Sequence, residues 1–216
     1  KRLSFTTSLS KAVRGSQIIY IAVGTPAAED GFADLQYVLG VARDIGRTMT
    51  EYKVIVNKST VPVGTAARVR KIIEKETEHP FSTVSNPEFL KQGNAINDFM
   101  NPDRIVLGGS DDLTHSVMAK LYEPFADVDT IFTNNKTAEM IKYTSNSLLA
   151  TLISFSNEVG NLCSTLGGID AKEVMTGVHL DKRISPILGN GQRIIPGITS
   201  YIEVGSGFGG SCLPKD

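Results

Sequence analysis

The sequence predicts an α/β fold in which a parallel sheet covered by helices gives way to a helical region entered through one long helix. Three observations carry that prediction. Short apolar runs closed by turn residues recur at 18–24, 54–56 and 81–85, the pattern of strands buried on both faces. Segments with helical apolar spacing lie between them, and strands alternating with helices at this interval build parallel sheets. From Thr137 to Leu166 there is no proline and, apart from Gly160, no glycine, so one helix can run unbroken.

In chain order, Ser8 to Val13 predicts a short helix, and IIYIAVG at 18–24 a buried strand ended by the turn residues Thr25 and Pro26. Asp34 is placed to cap a helix over about 34–51, whose apolar face is Leu35, Val38, Leu39, Ala42 and Ile45. Val54 to Val56 is the second strand, Gly64 opens the next helix, and Phe81 to Ser85 is the third strand. Weaker strands are expected at 104–107 and 128–132, around a helix near 113–122. The long helix spans about 30 residues, or about 45 Å, more than one small domain needs. Gly167 and Gly168 end it, a short helix follows from Asp170 to Gly177, and residues 183–216, crowded with glycine and proline, are expected to be mainly loop. Ligands of parallel sheets sit at the carboxyl ends of strands, so chemistry is sought in the loops there.

Composition narrows the function. Lys and Arg number 22 against 23 Asp and Glu, a net charge of −1, which lacks the field of a general nucleic-acid binder. The apolar share of 41% is that of an ordinary globular chain, not of a disordered or fibrous one. Two cysteines cannot build a disulfide framework and point to a reducing, cytoplasmic setting. No apolar run reaches the roughly 18 to 20 residues of a membrane span, and the first residues lack the apolar stretch of a signal peptide.

Several groupings have chemical meaning. Gly205 to Gly210, GSGFGG, satisfies G-x-G-x-x-G literally, but a dinucleotide fingerprint lies between a first strand and its helix, with an acidic residue about 20 positions on. Here the glycines are better read as letting backbone N–H groups approach a ligand and freeing Cys212 for attack; the bland alternative is a plain turn. Cys212 is placed in a polar loop near Lys215, which suits a nucleophilic thiolate, whereas Cys163 reads as a small core residue. Lys142 and Asn146 are four apart and share a helix face, as reacting groups or as a solvated stripe. Glu88 and Gln92 are also four apart, with Pro87 placed to start a helix after a strand. Thr25-Pro26 and Ser59-Thr60 offer hydroxyls at two strand ends where a dinucleotide would lie. His79, His115 and His179 have no metal-ligand spacing, so no metal site is expected.

Taken together, GFGGSCLPKD at 207–216, NPEFL at 86–90, KSTVPVGT at 58–65, IAVGTP at 21–26 and the Lys142–Asn146 pair resemble the UDP-glucose/GDP-mannose 6-dehydrogenase family, in the right order along nearly the whole chain. STVPVGT is more similar to the UDP-glucose branch than to the GDP-mannose branch, and NPEFL argues against the UDP-N-acetylmannosamine branch. The resemblance implies a partial, Rossmann-like NAD-binding domain over 1–133 and a central helical dimerisation domain with a catalytic cysteine loop over 134–216. It further implies oxidation of the C6 alcohol of UDP-glucose to UDP-glucuronate, with NAD as cofactor, through a cysteine thiohemiacetal and thioester. GDP-mannose or another nucleotide sugar is the alternative substrate. The competing readings are a non-catalytic helical dimerisation module, which has no reason to keep these residues together, and a 6-phosphogluconate-type dehydrogenase, which needs no thiol.

Roles carry over residue by residue. Cys212 is implied as nucleophile, Lys142 and Asn146 as stabilisers of the oxyanion, Asp216 and Thr60 as groups that hold water or pass a proton, and Glu88 as acid or base in thioester hydrolysis. Thr25, Pro26, Ser59, Thr60 and Lys215 match cofactor-side positions. Glu88, Phe89, Leu90, Gln92, Lys142 and Asn146 match the sugar site; Tyr201, Ile202, Glu203, Val204, Gly205 and Gly209 match the loop that wraps the sugar diphosphate. Arg183 resembles an arginine that reaches the neighbouring subunit's site, which implies a homodimer formed through the long helix. Gln92 stands where the family usually has a glutamate, Glu203 where some members have a lysine, and the stretch from Ile184 to Tyr201 is longer than usual. The family's first strand, glycine-rich turn and ribose-binding acid are expected before Lys1, and a second nucleotide-binding domain after Asp216. The 216 residues alone are therefore expected to bind NAD poorly and to turn over nothing.

Overall fold

The structure, a computed structural model, describes residues 3–29, 31–210 and 212–216. Ser211, within the cysteine motif, lies outside the described residues. The chain divides into two compact units: residues through Tyr143 together with Lys215, and Thr144–Pro214 together with Asp216. The division falls inside the longest helix.

The first unit is α/β. Helix α1 (Leu9–Arg14) starts where the Ser8 hydroxyl accepts from the Lys11 amide. Strands β1 (Ile18–Ile21), β2 (Lys53–Asn57) and β3 (Phe81–Ser85) are joined through helices α2 (Gln36–Thr48) and α3 (Thr65–Ile73). Then come α4 (Ala95–Met100), β4 (Ile105–Gly108), α5 (Asp112–Leu121) and β5 (Thr130–Thr133). The sheet order is β1-β2-β3-β4-β5. Side chains of β2 alternate between its faces. Ile55 joins Val38, Ala42, Ile45, Val69 and Ile73 on one side, and Val54 and Val56 join Val84, Leu107 and Met118 on the other. A β-strand coated in this way carries no polar face, which is why its sequence shows an apolar run instead of alternation.

Several expectations need correction. The sheet is not wholly parallel: β3 and β4 meet antiparallel, through Ser85 opposite Gly108. β1 is shorter than 18–24, ending at Ile21, and Tyr20 within it is 38% exposed. Pro87 does not start a helix, because residues 86–91 are irregular and α4 begins at Ala95. Glu88 and Gln92 therefore do not share a helix face. Asp34 sits one residue outside the cap of α2, where its Oδ1 still accepts from the Gln36 amide at 2.9 Å.

Helix α6 (Asn135–Leu166, 32 residues) is the long helix, and α7 (Ala171–His179) follows, capped by Asp170. Cys163 is buried in the second unit. After a 3-10 turn at Gly197–Ser200, the chain ends in α8 (Cys212–Lys215). Cys212 thus opens a short helical turn instead of lying in an open loop. Among the described residues, no helix is long and apolar enough to cross a membrane.

Candidate active site

The carboxyl ends of β1, β2 and β3 lie side by side because the strands are parallel, and the loops that leave them are tied to one another. The Thr25 hydroxyl donates to the Thr60 carbonyl at 2.9 Å, and the Ser59 hydroxyl donates to the Val23 carbonyl at 2.7 Å. Both hydroxyl protons are thus committed to the backbone. Asn57, at the end of β2, is 4% exposed, and neither of its side-chain polar atoms has a partner. It lines a small cavity with Ser59, Thr60, Ser85, Glu139 and Lys142. A buried amide of this kind needs a polar partner, and so small a polar cavity suits a single water.

Beyond β3, the irregular 86–90 segment brings the sugar-site candidates together. The Lys142 ammonium lies 3.4 Å from a Glu88 carboxylate oxygen and 5.3 Å from the centre of the Phe89 ring. The other Glu88 oxygen accepts from the Leu90 amide at 2.6 Å, which fixes the carboxylate. Lys142 is only 6% exposed, which rules out the solvated stripe. A charge this deep is held only where a carboxylate and a ring face replace water. Arg104 also lies over Phe89, 3.9 Å from the ring centre. Gln92 is exposed in the turn before α4.

Four residues here were not singled out from the sequence. Lys58 lies 3.5 Å from Asn86 Oδ1, and the same oxygen accepts from the Tyr122 hydroxyl. Burial pulls the Lys58 ammonium below its ordinary value, with Lys142 adding to that and Glu88 opposing it. Burial also pushes the Tyr122 hydroxyl up. The fourth is Glu139, 3% exposed. Lys58 and Asn86 stand inside the KSTVPVGT and NPEFL motifs, but only the fold reveals that they are largely buried and face one another.

The second unit holds the other candidates. Asn146 Nδ2 donates to an Asp216 carboxylate oxygen at 2.5 Å, so two residues 70 apart in sequence meet. Cys212 is exposed. The 201–205 loop rests on α6: the Ser156 hydroxyl donates to the Glu203 carbonyl at 3.2 Å, and the Gly205 amide donates to Asn157 Oδ1 at 2.9 Å. Ile202 is buried, and Tyr201, Glu203, Gly205 and Gly209 are exposed. Arg183 is exposed and pairs with Asp181 at 2.6 Å. Asn157 and Ser156 were not legible as loop anchors, because polar residues on a long helix read as its wet face. Among the described residues, no cluster of His, Cys, Asp or Glu could hold a metal.

Residues 1–126 match the NAD binding domain of the UDP-glucose/GDP-mannose dehydrogenase family, and residues 136–216 match its central domain. The chain is 46% identical to UDP-glucose 6-dehydrogenase TuaD of Bacillus subtilis, aligning over all of its own length and 44% of the relative's. It is 41% identical to a UDP-glucose 6-dehydrogenase of Pseudomonas aeruginosa, again over its whole length and 46% of the relative's. It spans less than half the length of these curated relatives. Among solved structures, a UDP-glucose dehydrogenase from Pyrobaculum islandicum superposes with a TM-score of 0.88 at 42% identity, covering 99% of this chain and 47% of that one. A GDP-mannose dehydrogenase from Pseudomonas aeruginosa gives 0.78 at 36% identity, covering 99% and 48%. The fold is Rossmann-like, and NAD is the cofactor of the domain to which residues 1–126 belong. The chain belongs to the UDP-glucose/GDP-mannose dehydrogenase family.

Proposed function

We propose that the intact protein oxidises the C6 alcohol of UDP-glucose to the carboxylate, with residues 1–133 serving the cofactor and residues 134–216 forming the central domain. The observation that carries this reading is Lys142, a buried ammonium set against Glu88 and Phe89. A cation fixed in a site of low dielectric is placed to stabilise negative charge as it develops on an oxygen. NAD, when bound, supplies the acceptor for the two hydrides that C6 must lose.

The chain's own residues supply the rest. Thr25, Pro26, Ser59, Thr60 and Lys215 face the cofactor. The Cys212 thiolate adds to the C6 aldehyde left by the first oxidation, forming a C–S bond while Lys142 and Asn146 steady the oxygen. Loss of the second hydride from that thiohemiacetal leaves a thioester. Water held by Thr60 and Asp216 then attacks the thioester carbon, Glu88 takes its proton, and the C–S bond breaks to return the thiol and release the acid. The 201–205 loop and Gly209 receive the diphosphate, and Phe89, Leu90 and Gln92 receive the sugar. Exposed Leu148, Phe155 and Leu162 recur every seven residues along α6, the spacing of a helix that packs on a partner helix, which supports a homodimer in which Arg183 reaches the neighbour. Two free cysteines and no membrane-spanning helix among the described residues suit a cytoplasmic setting.

The test is NADH formation by the intact protein from UDP-glucose and from GDP-mannose. UDP-glucose is expected to be the better substrate, Lys142→Ala to lower kcat about 10²- to 10³-fold, and Cys212→Ser to abolish release of the uronic acid. Unchanged uronic acid formation by Cys212→Ser would sink the mechanism, and a preference for GDP-mannose would move the substrate assignment.

A further inference from the structure

We propose that Glu139 is a positioning residue, a buried clasp that fixes Lys142 and the Thr60 turn relative to each other. The proposal rests on the reading of Lys142 given above.

The geometry begins at α3. Its N-cap is Gly64, which has φ of 97° and no side chain to cap the helix. Glu139, a residue of α6, supplies the cap from outside. One carboxylate oxygen accepts from the Gly64 amide at 2.6 Å. The other accepts from the Ala66 amide at 2.8 Å and from the Ser85 hydroxyl at 3.3 Å. One side chain thus joins three segments: the turn that follows Thr60, the end of β3 just before Glu88, and the start of α6. Lys142 follows Glu139 by three residues, one turn on along the same face, and the two side chains line the same small cavity with Thr60.

The first turns of α6 are fixed at two further points. Asn135 Nδ2 donates to the Thr83 carbonyl at 3.1 Å, and Ala138 packs against Gly108 so closely that a Cβ on the glycine would lie 2.6 Å from the alanine Cβ. These contacts hold the helix axis near the sheet. Glu139 fixes its rotation, because its two oxygens must meet two separate amides at once. Rotation of this turn would swing the Lys142 ammonium away from Glu88.

Burial pushes the Glu139 carboxyl above its ordinary value, even though the Gly64 and Ala66 amides, the Ser85 hydroxyl and Lys136 all favour the charged form. Burial thus outweighs these groups. Position 64 cannot supply the cap itself, because φ of 97° strains any side chain there, so the acceptor has to come from α6.

The experiment is Glu139→Gln in the intact protein, read beside wild type and Lys142→Ala. The glutamine keeps one acceptor oxygen and turns an NH2 group toward the other donor. Expected are a kcat about 10- to 100-fold below wild type, KM for the nucleotide sugar and for NAD within about threefold of wild type, and faster hydrogen exchange at the Gly64 or Ala66 amide. Wild-type kcat in Glu139→Gln, with Lys142→Ala crippled, would overturn the clasp. A kcat loss that tracks thermal unfolding and vanishes at lower temperature would do the same, since that is the behaviour of a merely structural residue. Full activity of Lys142→Ala would instead overturn the reading on which the clasp rests, and the exchange rates would then report the clasp separately.

Discussion

Helix α6 is approached at close range by a glycine contact in each unit, and the two contacts are built differently. In the first unit, a Cβ on Gly108 would lie 2.9 Å from the Asn134 carbonyl oxygen and 3.0 Å from the Asn135 Cα, besides the Ala138 Cβ. In the second unit, a Cβ on Gly160 would lie 2.4 Å from Val204 Cγ1, and the next nearest atoms are the other Val204 side-chain carbons, at 3.7 Å. Backbone meets backbone at Gly108, where a strand and a helix start are both held by ladders of hydrogen bonds. At Gly160 the helix backbone meets one valine methyl on an irregular loop. The shorter contact is thus the softer one, because what decides the outcome is whether the neighbour can move.

The largest stability effect is therefore expected at Gly108. Gly108→Ala should lower the unfolding free energy by about 2 to 3 kcal/mol, read from the urea midpoint of the intact protein. Because the displaced element is the start of α6, kcat should fall with it. A midpoint unchanged by the substitution would mean that the helix start can slide on β4, and the contrast between the two contacts would fail.

Gly160→Ala should lower the midpoint less than Gly108→Ala does. Alanine gains about 1 kcal/mol over glycine inside a helix, which offsets only part of a displaced valine methyl costing about 1 to 3 kcal/mol. The consequence should appear in the loop: faster exchange at the Gly205 amide as its bond to Asn157 loosens, and a higher KM for the nucleotide sugar. Adding Val204→Ala removes the overlapping methyl and should restore both, a coupling that a double-mutant cycle reads directly.

The same distinction explains what the sequence could show. Strands β2 and β3 and helix α6 were legible because burial on two faces and an unbroken apolar period leave marks in the residue order. Cys212, Lys142 and Glu88 were singled out through their motifs, although only the fold shows Lys142 buried against Glu88 and Phe89. Glu139, Asn57 and Tyr122 were hidden, since each is a polar residue whose surroundings are assembled from distant parts of the sequence: 73 positions separate Ala66 from Glu139, and 36 separate Tyr122 from Asn86. The antiparallel meeting of β3 and β4 was hidden for a related reason. It depends on a single residue pair, and no periodicity encodes one pair. The helix expected at Pro87 failed because Leu90 donates its amide to the Glu88 side chain, a local bond that competes with the helical one.

The smallest effect is expected beyond Gly108 on the same edge, at Asp111, where an exposed side chain does locally what Glu139 does at a distance. One Asp111 oxygen accepts from the Thr114 amide at 2.8 Å and the Thr114 hydroxyl at 2.7 Å, capping α5. The Ser110 and Ser82 hydroxyls reach the other oxygen at 3.2 and 3.4 Å. The Thr114 hydroxyl, then its amide, hold the carboxyl below its ordinary value of 3.8. A carboxyl lowered by folding contributes stability that is fully present above its unfolded value and is lost as the pH falls through its folded one. Asp111→Ala should therefore cost about 1 kcal/mol at neutral pH, and the gap to wild type should narrow below about pH 4. Asp111→Asn keeps an acceptor at the cap, so it should lose less at neutral pH. The opposite sign is expected of Glu139, whose raised carboxyl makes the folded state less stable as the pH rises above 4.5. An Asp111→Ala gap that widened in acid would mean that the local cap and the distant clasp do not differ in the way their geometry requires.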